Sequence, residues 1–188
     1  MWTAAGLARD QVFFVIRLVT LEVQIVGIVP EPRGEWMKQV ARNLTDGPDG
    51  FRRSCRSLIH DRSSLITSEF GRIPESIGIE TVQLPARSPN LNAFGERYIR
   101  TIKEACLDRM ILIGEGLLRR AVSEFALHYH TEKSHQGLGN KIIRPQLAEC
   151  PSAGEIRCRE RLAGILRYYY RPLNRAIASF RTLRGAID

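Results

Sequence analysis

The sequence has few cysteines, and they are not arranged in pairs. Its four cysteines are scattered without a C-x-x-C motif, and no signal peptide precedes them. A disulfide framework is therefore not expected, and we predict reduced thiols in a cytoplasmic protein. The four are Cys55, Cys106, Cys150 and Cys158.

Long apolar runs are also missing. The most apolar stretch, residues 12–29, is interrupted by Arg17, Glu22 and Gln24. It is too polar for a membrane-spanning helix and predicts two strands instead, so no membrane partner is expected.

Familiar catalytic and metal-binding motifs are equally scarce. There is no P-loop, and HYH at 128–130 lacks the H-E-x-x-H pattern of a metalloprotease. The H-x-H and C-x7-C spacings match no common zinc finger, so a zinc site built from the histidines and late cysteines is not favoured. These residues are His128, His130, His135, Cys150 and Cys158.

Lysine is rare, whereas arginine is abundant. Of the 28 basic residues 24 are Arg, and against 20 acids they give a net charge of +8. Residues 144–188 hold nine Arg and four acids, so much of the excess lies there. Codon bias in a GC-rich genome would explain the arginines, and so would phosphate binding by guanidinium groups, which suggests a polyanionic partner.

The 188 residues allow one ordinary domain with an appended arm. Residues 11–18 and 22–29 are rich in Val, Ile and Phe and predict a β-hairpin. A helix is predicted from Gly34 or Glu35, with Trp36, Val40 and Leu44 on one buried stripe, and a turn or loop is predicted at 46–50. Strands at 57–61 and 80–84 follow, with a short helix between them.

Longer helices are expected at about 92–110, 115–129 and 155–170, and this order favours an α/β domain. Helical spacing gives the first two one apolar face each: Phe94, Tyr98, Ile102, Ala105 and Cys106 on the first, and Leu118, Val122, Phe125 and Tyr129 on the second.

Two acidic residues have contexts that suggest chemistry. Asp61 closes the short strand SLIHD, at the end of a strand where open α/β sheets usually bind ligands. Glu96 lies on a predicted helix with Asn92, Arg100 and Lys103, spaced so that all four share an arc of roughly 80°. Such a face could hold a divalent cation while its basic residues meet phosphates. The alternative is a solvated face with a Glu96–Arg100 pair worth a few tenths of a kcal/mol.

Several strings in the sequence resemble a known family. LIHDRSSLITSEF, LPARSPNLNAFGERYIRTIKEACLDRM and HYHTEKSHQGLGN look like the catalytic core of DDE transposases and retroviral-type integrases. More narrowly, they resemble the integrase-core proteins of bacterial insertion sequences, over roughly residues 11–147. The resemblance implies a ribonuclease H-like fold, a five-stranded mixed sheet flanked by helices.

The same resemblance implies a function in DNA integration or transposition. It implies metal-dependent strand cleavage and transfer, with three carboxylates that bind two Mg²⁺ or Mn²⁺ ions. It also implies DNA as the partner, both element ends and target, and a homo-oligomer. Asp61 and Glu96 then match the second and third acids and are the catalytic, metal-binding residues. Asn92, Arg100 and Lys103 match the DNA-contacting positions, whereas His135 matches a family histidine without an assigned role.

The first acid of the family has no evident counterpart. QVFFVIRL aligns with the family's second strand, so the first strand and its Asp are expected upstream of Met1. Asp10, the only acid among the first 20 residues, lies by the hairpin and is a poor substitute. With two carboxylates of three, paired metal binding should fail.

We therefore expect an N-terminally incomplete integrase core at 1–147 and a basic, partly helical arm at 148–188. Either the start site is misassigned, or the chain is a decayed copy of a mobile element. The competing functions are a catalytically inactive DNA-binding or subunit-pairing remnant and an unrelated ribonuclease H-like nuclease. Lys103 and the SPNLN turn favour the integrase interpretation over the nuclease.

Overall fold

The structure, a computed structural model, describes residues 1–3, 6–46, 55–86, 92–145 and 154–172. It divides into two units, Met1–Ala126 and Leu127–Asp188. The first unit contains β1 (Trp2–Thr3), β2 (Gly6–Leu7), β3 (Gln11–Ile16), β4 (Val23–Val29), α1 (Gly34–Asp46), β5 (Ser57–His60), α2 (Ser68–Glu75), β6 (Glu80–Gln83) and α3 (Ala93–Ala105). Helix α4 (Gly114–Thr131) crosses the division, and the second unit continues with β7 (Ser134–His135), β8 (Lys141–Ile142), β9 (Arg157–Arg161) and β10 (Leu166–Tyr170).

Strands β3 and β4 form the predicted antiparallel hairpin, with Gln11 opposite Val29 and Ile16 opposite Val23. A register shift between Phe13 and Phe14 marks a bulge. Side chains of successive strand residues point to opposite faces. The Phe13 ring accordingly lies 5.0 Å from Trp36 of α1, and the Phe14 ring lies 4.8 Å from Tyr98 of α3. The hairpin is therefore covered on both faces by helices.

Helix α1 buries the predicted apolar stripe. Val40 and Leu44 are buried, together with Met37 and Ala41, and they pack against Phe70 of α2. Trp36, the first residue of the stripe, is partly buried, and its indole lies over Gly27, where a methyl group would clash with the ring. These side chains form an apolar core between α1 and α2.

Strands β5 and β6 confirm the two predicted strands between residues 57 and 84. They are parallel, with Ser57 opposite Glu80 and His60 opposite Gln83. Helix α2 connects them, and the Thr67 hydroxyl caps it by accepting a hydrogen bond from the Phe70 amide. Because the strands are parallel, their carboxyl ends lie at the same edge.

Helices α3 and α4 pack through their predicted apolar faces. Tyr98, Ile102 and Cys106 are buried on α3, whereas Phe94 is 42% exposed. On α4 the predicted stripe is buried throughout, and Phe125 lies 5.9 Å from Tyr98. Helix α3 ends at Ala105, five residues before the predicted end, because a 3-10 turn over Leu107–Arg109 follows it.

The helix predicted at about 155–170 is wrong. This segment is an antiparallel hairpin of β9 and β10, with Leu166 opposite Arg161 and Tyr170 opposite Arg157. The alternating Arg and the Tyr run fit a strand's two-residue period. Leu162 and Ala163, with φ of 50° and 54°, and then Gly164, with φ of 88°, supply the tight turn.

The chain is thus a mixed α/β protein of helices and small sheets. The strands of the described residues form five separate two-stranded sheets, so the expected five-stranded sheet is not confirmed. The predicted turn at 46–50, most of the SPNLN segment, Cys150 and residues 173–188 fall partly or wholly outside the described residues. Within the described part of the chain, no helix is long and apolar enough to cross a membrane.

Candidate functional site

Asp61 lies immediately beyond the carboxyl end of β5, as its position in SLIHD predicts. Its side chain is exposed, and Oδ1 accepts a hydrogen bond of 3.0 Å from the Ser63 amide. Next to it, the Arg62 guanidinium donates to the Leu84 carbonyl, which follows β6, at 3.2 Å. This contact ties the turn after β5 to the end of β6 and fixes the backbone that carries the carboxylate.

Glu96, Arg100 and Lys103 are exposed side chains on α3. They lie opposite the buried Tyr98 and Ile102, as the helical spacing predicts. Glu96 and Arg100 form no ion pair, but the face is exposed to solvent, so the alternative of a solvated face keeps its exposure and loses only the pair. Neither Arg100 nor Lys103 is paired with a carboxylate among the described residues, and both cations are available to an anion.

Asn92 immediately precedes α3, but its side chain does not cap the helix by a hydrogen bond. The carboxamide instead folds over the first turn, where a Cβ at position 95 would fall 2.6 Å from Asn92 Oδ1. Gly95 therefore gives the Asn92 side chain the room that it occupies. This relationship places the amide on the first turn of α3, the turn that also carries Glu96.

The described residues contain no group of three or more His, Cys, Asp or Glu side chains that could hold a metal ion. The predicted acids, Asp61 and Glu96, therefore belong to no such group in this part of the chain. Asp10, just before β3, has a buried Oδ2 without a hydrogen-bond partner, but among the described residues it too belongs to no group of three donors. Over the ranges that the structure describes, the residues therefore do not fit a centre that holds two cations.

A carboxylate that the sequence did not single out, Glu132, forms a polar cluster with three partners in the described part of the second unit. The Glu132 side chain is 1% exposed and contacts Arg161 Nη2 at 2.7 Å, Arg159 Nη1 at 3.3 Å and His128 Nδ1 at 2.8 Å. Burial by itself would raise the pKa of Glu132, but hydrogen bonds from Arg161 and His128 outweigh it, and the pKa is lowered. Glu132 therefore stays ionised and binds β9 to the end of α4.

His135, the family histidine without an assigned role, has a structural place in the second unit. Its ring is buried, and Nε2 lies 2.8 Å from the Tyr129 carbonyl oxygen, so this nitrogen carries the proton and donates it. The Tyr129 ring meets the imidazole edge-on at 4.4 Å. Burial lowers the pKa of His135, which keeps the ring neutral. His135 thus connects β7 to the last turn of α4.

Residues 77–142 match the family model of the integrase core domain. The matched segment contains β6, α3, α4, β7 and β8, and with them Asn92, Glu96, Arg100, Lys103 and His135. No curated protein matches the chain. The family match confirms the resemblance to an integrase or transposase catalytic core over about a third of the chain. Asp61, β3, β4 and the late hairpin lie outside the matched segment.

Proposed function

We propose that this chain is a transposase or integrase core that acts on DNA in integration or transposition, and that the exposed face of α3 contacts the DNA backbone. The integrase-core match over residues 77–142 carries this proposal, because the matched segment includes the whole of α3. We assign Asn92, Arg100 and Lys103 to the DNA contact.

The charges on α3 support a phosphate contact. Arg100 and Lys103 are exposed and have no carboxylate partner among the described residues. A guanidinium one helical turn from an ammonium meets neighbouring phosphate oxygens without losing an existing ion pair. The net charge of +8 adds a sequence-independent attraction to the polyanion.

Asp61 and Glu96 are the residues that we assign to strand cleavage and transfer. In the family that the chain resembles, divalent metal ions activate the attacking oxygen and stabilise the leaving one. Two separate carboxylates do not make such a centre by themselves. Cleavage by this chain therefore requires a third donor beyond those that the described residues group together.

A catalytically inactive DNA-binding protein is the second candidate. The observation in its favour is that the described residues assemble no three-donor metal cluster. Both candidates keep the α3 contact with DNA, and they differ only in turnover. A ribonuclease H-like fold remains part of the proposal and rests on the integrase-core match.

Binding and cleavage of a labelled DNA duplex test the proposal together. We expect binding that weakens with salt, and we expect Arg100→Ala or Lys103→Ala to reduce the slope of log K against log [salt] by about 1 each. Lys38→Ala is the matched control, because Lys38 on α1 is already paired with Glu35 and Glu69. Equal slopes for all three variants would contradict the assignment of α3.

Turnover is measured on the same DNA with Mg²⁺ or Mn²⁺. If the wild-type chain cleaves, Asp61→Asn and Glu96→Gln should abolish cleavage and retain binding, because each removes one charge at constant shape. Binding without cleavage in the wild type would support the inactive candidate. Cleavage that survives Glu96→Gln would overturn the site assignment.

A further inference from the structure

The hairpin of β9 and β10 has an outer face that takes no part in the proposed contact of α3 with DNA. Its inner face is packed, since Arg161 contacts Glu132 and Leu166 is buried. Because side chains alternate along a strand, Arg167 and Tyr169 lie on the opposite, outer face. Both are exposed, and the exposed fraction of Tyr169 is 62%.

Tyr169 lies between two arginines on this outer face. Arg167 precedes it by two residues, and Arg171 follows it by two, one residue past the end of β10. At about 3.3 Å per residue, each arginine is roughly 7 Å from Tyr169 along the chain. Tyr168 and Tyr170 stack on each other on the inner face, with ring centroids 5.8 Å apart and planes inclined by 7°. Tyr169, in contrast, stacks on no other ring among the residues that the structure describes.

Neither arginine of the outer face is held in a buried ion pair. Arg167 pairs with Glu160 at 3.1 Å, but both side chains are more than half exposed, and such pairs contribute little to stability. Arg171 donates through Nε to the Gly154 carbonyl at 3.3 Å and has no carboxylate partner within the described ranges. Both guanidinium groups are therefore available to an anionic ligand.

The second unit carries most of the positive charge of the chain. Residues 127–188 hold 11 Lys and Arg against five Asp and Glu, whereas residues 1–126 hold 17 against 15. A polyanion is therefore attracted to the second unit more than to the first. An open aromatic ring between cations suits a nucleic acid with unpaired bases, because the ring stacks on a base while the cations meet the backbone. A base inside a duplex is stacked between its neighbours and does not offer its face in this way.

We propose that the outer face, defined by Arg167, Tyr169 and Arg171, binds single-stranded DNA. Tyr169 stacks on one unpaired base, and the two arginines contact phosphates on either side of it. The inference rests on the proposed function only in taking DNA as the polymer. It adds a contact in the second unit, whereas α3 belongs to the first.

Fluorescence anisotropy of the full chain tests this inference with three labelled probes. They are an oligothymidylate of about 20 nucleotides, longer than one such site, an abasic strand of the same length and a duplex. We expect Tyr169→Ala to weaken binding of the oligothymidylate about 10-fold, the loss of one base–aromatic stack, and to leave binding of the other two probes unchanged. Tyr169→Phe should keep the affinity, because the ring remains. Arg167→Ala and Arg171→Ala should weaken binding of both single strands, because a phosphate contact does not need a base.

Two substitutions in the first unit are matched controls. Trp2→Ala removes an aromatic side chain that is 57% exposed, and Arg42→Ala removes an exposed arginine of α1 that donates to Gln39. Both variants should bind all three probes like the wild type. Circular dichroism checks that each variant is folded.

The three probes distinguish failure of this inference from failure of the α3 assignment. A wild type that binds the duplex but not the oligothymidylate would overturn the outer-face contact and leave the α3 contact standing. Binding of the oligothymidylate without binding of the duplex would do the reverse. If Tyr169→Ala weakens binding of the abasic strand as much as that of the oligothymidylate, or weakens neither, Tyr169 does not stack on a base and the proposal is wrong.

Discussion

The Glu132 carboxylate and the Arg161 guanidinium meet in the second unit although 29 residues separate them in the sequence. Arg161 contacts both carboxylate oxygens, through Nη2 at 2.7 Å and through Nε at 3.1 Å. The side chain of Glu132 is 1% exposed and that of Arg161 is 13% exposed. This forked contact fixes where β9 lies relative to the end of α4, because a bidentate pair restricts both distance and orientation.

Glu132→Gln is expected to destabilise the second unit by about 3 kcal/mol, because it removes the charge of a buried carboxylate that Arg159 and Arg161 share. Thermal unfolding, followed by circular dichroism, measures the loss. Glu160→Gln is the matched control on the same strand, since the Glu160–Arg167 pair is more than half exposed on both sides. Its removal should cost less than about 1 kcal/mol. Equal losses for the two variants would show that burial does not strengthen the Glu132 cluster.

Acid should weaken the same cluster. The folded-state pKa of Glu132 is lowered, so its contribution to stability is fully present above the ordinary carboxyl pKa and is lost as the pH falls through the lowered one. The free energy of unfolding should therefore fall with pH below about 4.3, the ordinary value for Glu. Glu132→Gln should flatten this part of the pH profile. A variant profile as steep as that of the wild type would assign the acid sensitivity to other carboxylates.

The sequence predicted the elements whose residue patterns are local. The hairpin of β3 and β4, the stripe of α1 and the buried face of α4 follow from apolar periodicity, and the structure confirms them. The late hairpin was missed because LAGIL and YYY look apolar enough for a helix. The alternation of Arg157, Arg159 and Arg161 is the local pattern that indicates a strand. The turn with positive φ values that follows it makes the segment a hairpin, and the sequence pattern does not reveal that turn.

The candidate site likewise contains some features that local sequence patterns predict and others that they do not. The exposure of Asp61 beyond β5 and of the α3 face could be predicted, since strand ends and helical spacing are set locally. The Glu132 cluster could not, because its partners come from distant parts of the sequence. In the sequence Glu132 stands between Thr131 and Lys133, and nothing local indicates that it is buried. The close approach of Asn92 to Gly95 could not be predicted from the sequence either, because it depends on the direction that the Asn92 side chain takes.

Cys106 and Cys158 should differ in the reactivity of their thiols. Cys106 is 0% exposed, and burial raises the pKa of its thiol to about 11, whereas Cys158 on β9 is exposed. Because the thiolate is the reactive form, iodoacetamide at pH 8 should modify Cys158 and spare Cys106 in the folded protein. Peptide mass spectrometry identifies the modified residue. Denaturant should make Cys106 reactive, and rapid modification without denaturant would mean that the contact between α3 and α4 opens readily.

Gly95→Ala should weaken DNA binding without destabilising α3. Alanine favours a helix over glycine by up to about 1 kcal/mol, so α3 should become no less stable. The new methyl group would lie against Asn92 Oδ1, however, and the carboxamide must move. If Asn92 donates one hydrogen bond to DNA, the dissociation constant should rise about fivefold, the equivalent of a single neutral hydrogen bond.

A double-mutant cycle shows whether the two positions act together. Asn92→Ala alone should weaken DNA binding by a similar factor, and Gly95→Ala should have no further effect once Asn92 is gone, because both changes remove the same contact. Fluorescence anisotropy with one duplex at fixed salt measures all four proteins, and thermal unfolding confirms that α3 is intact. If the two effects instead multiply, Gly95 acts on DNA binding by a route other than the Asn92 side chain. In that case the assignment of Asn92 would rest on its own substitution alone.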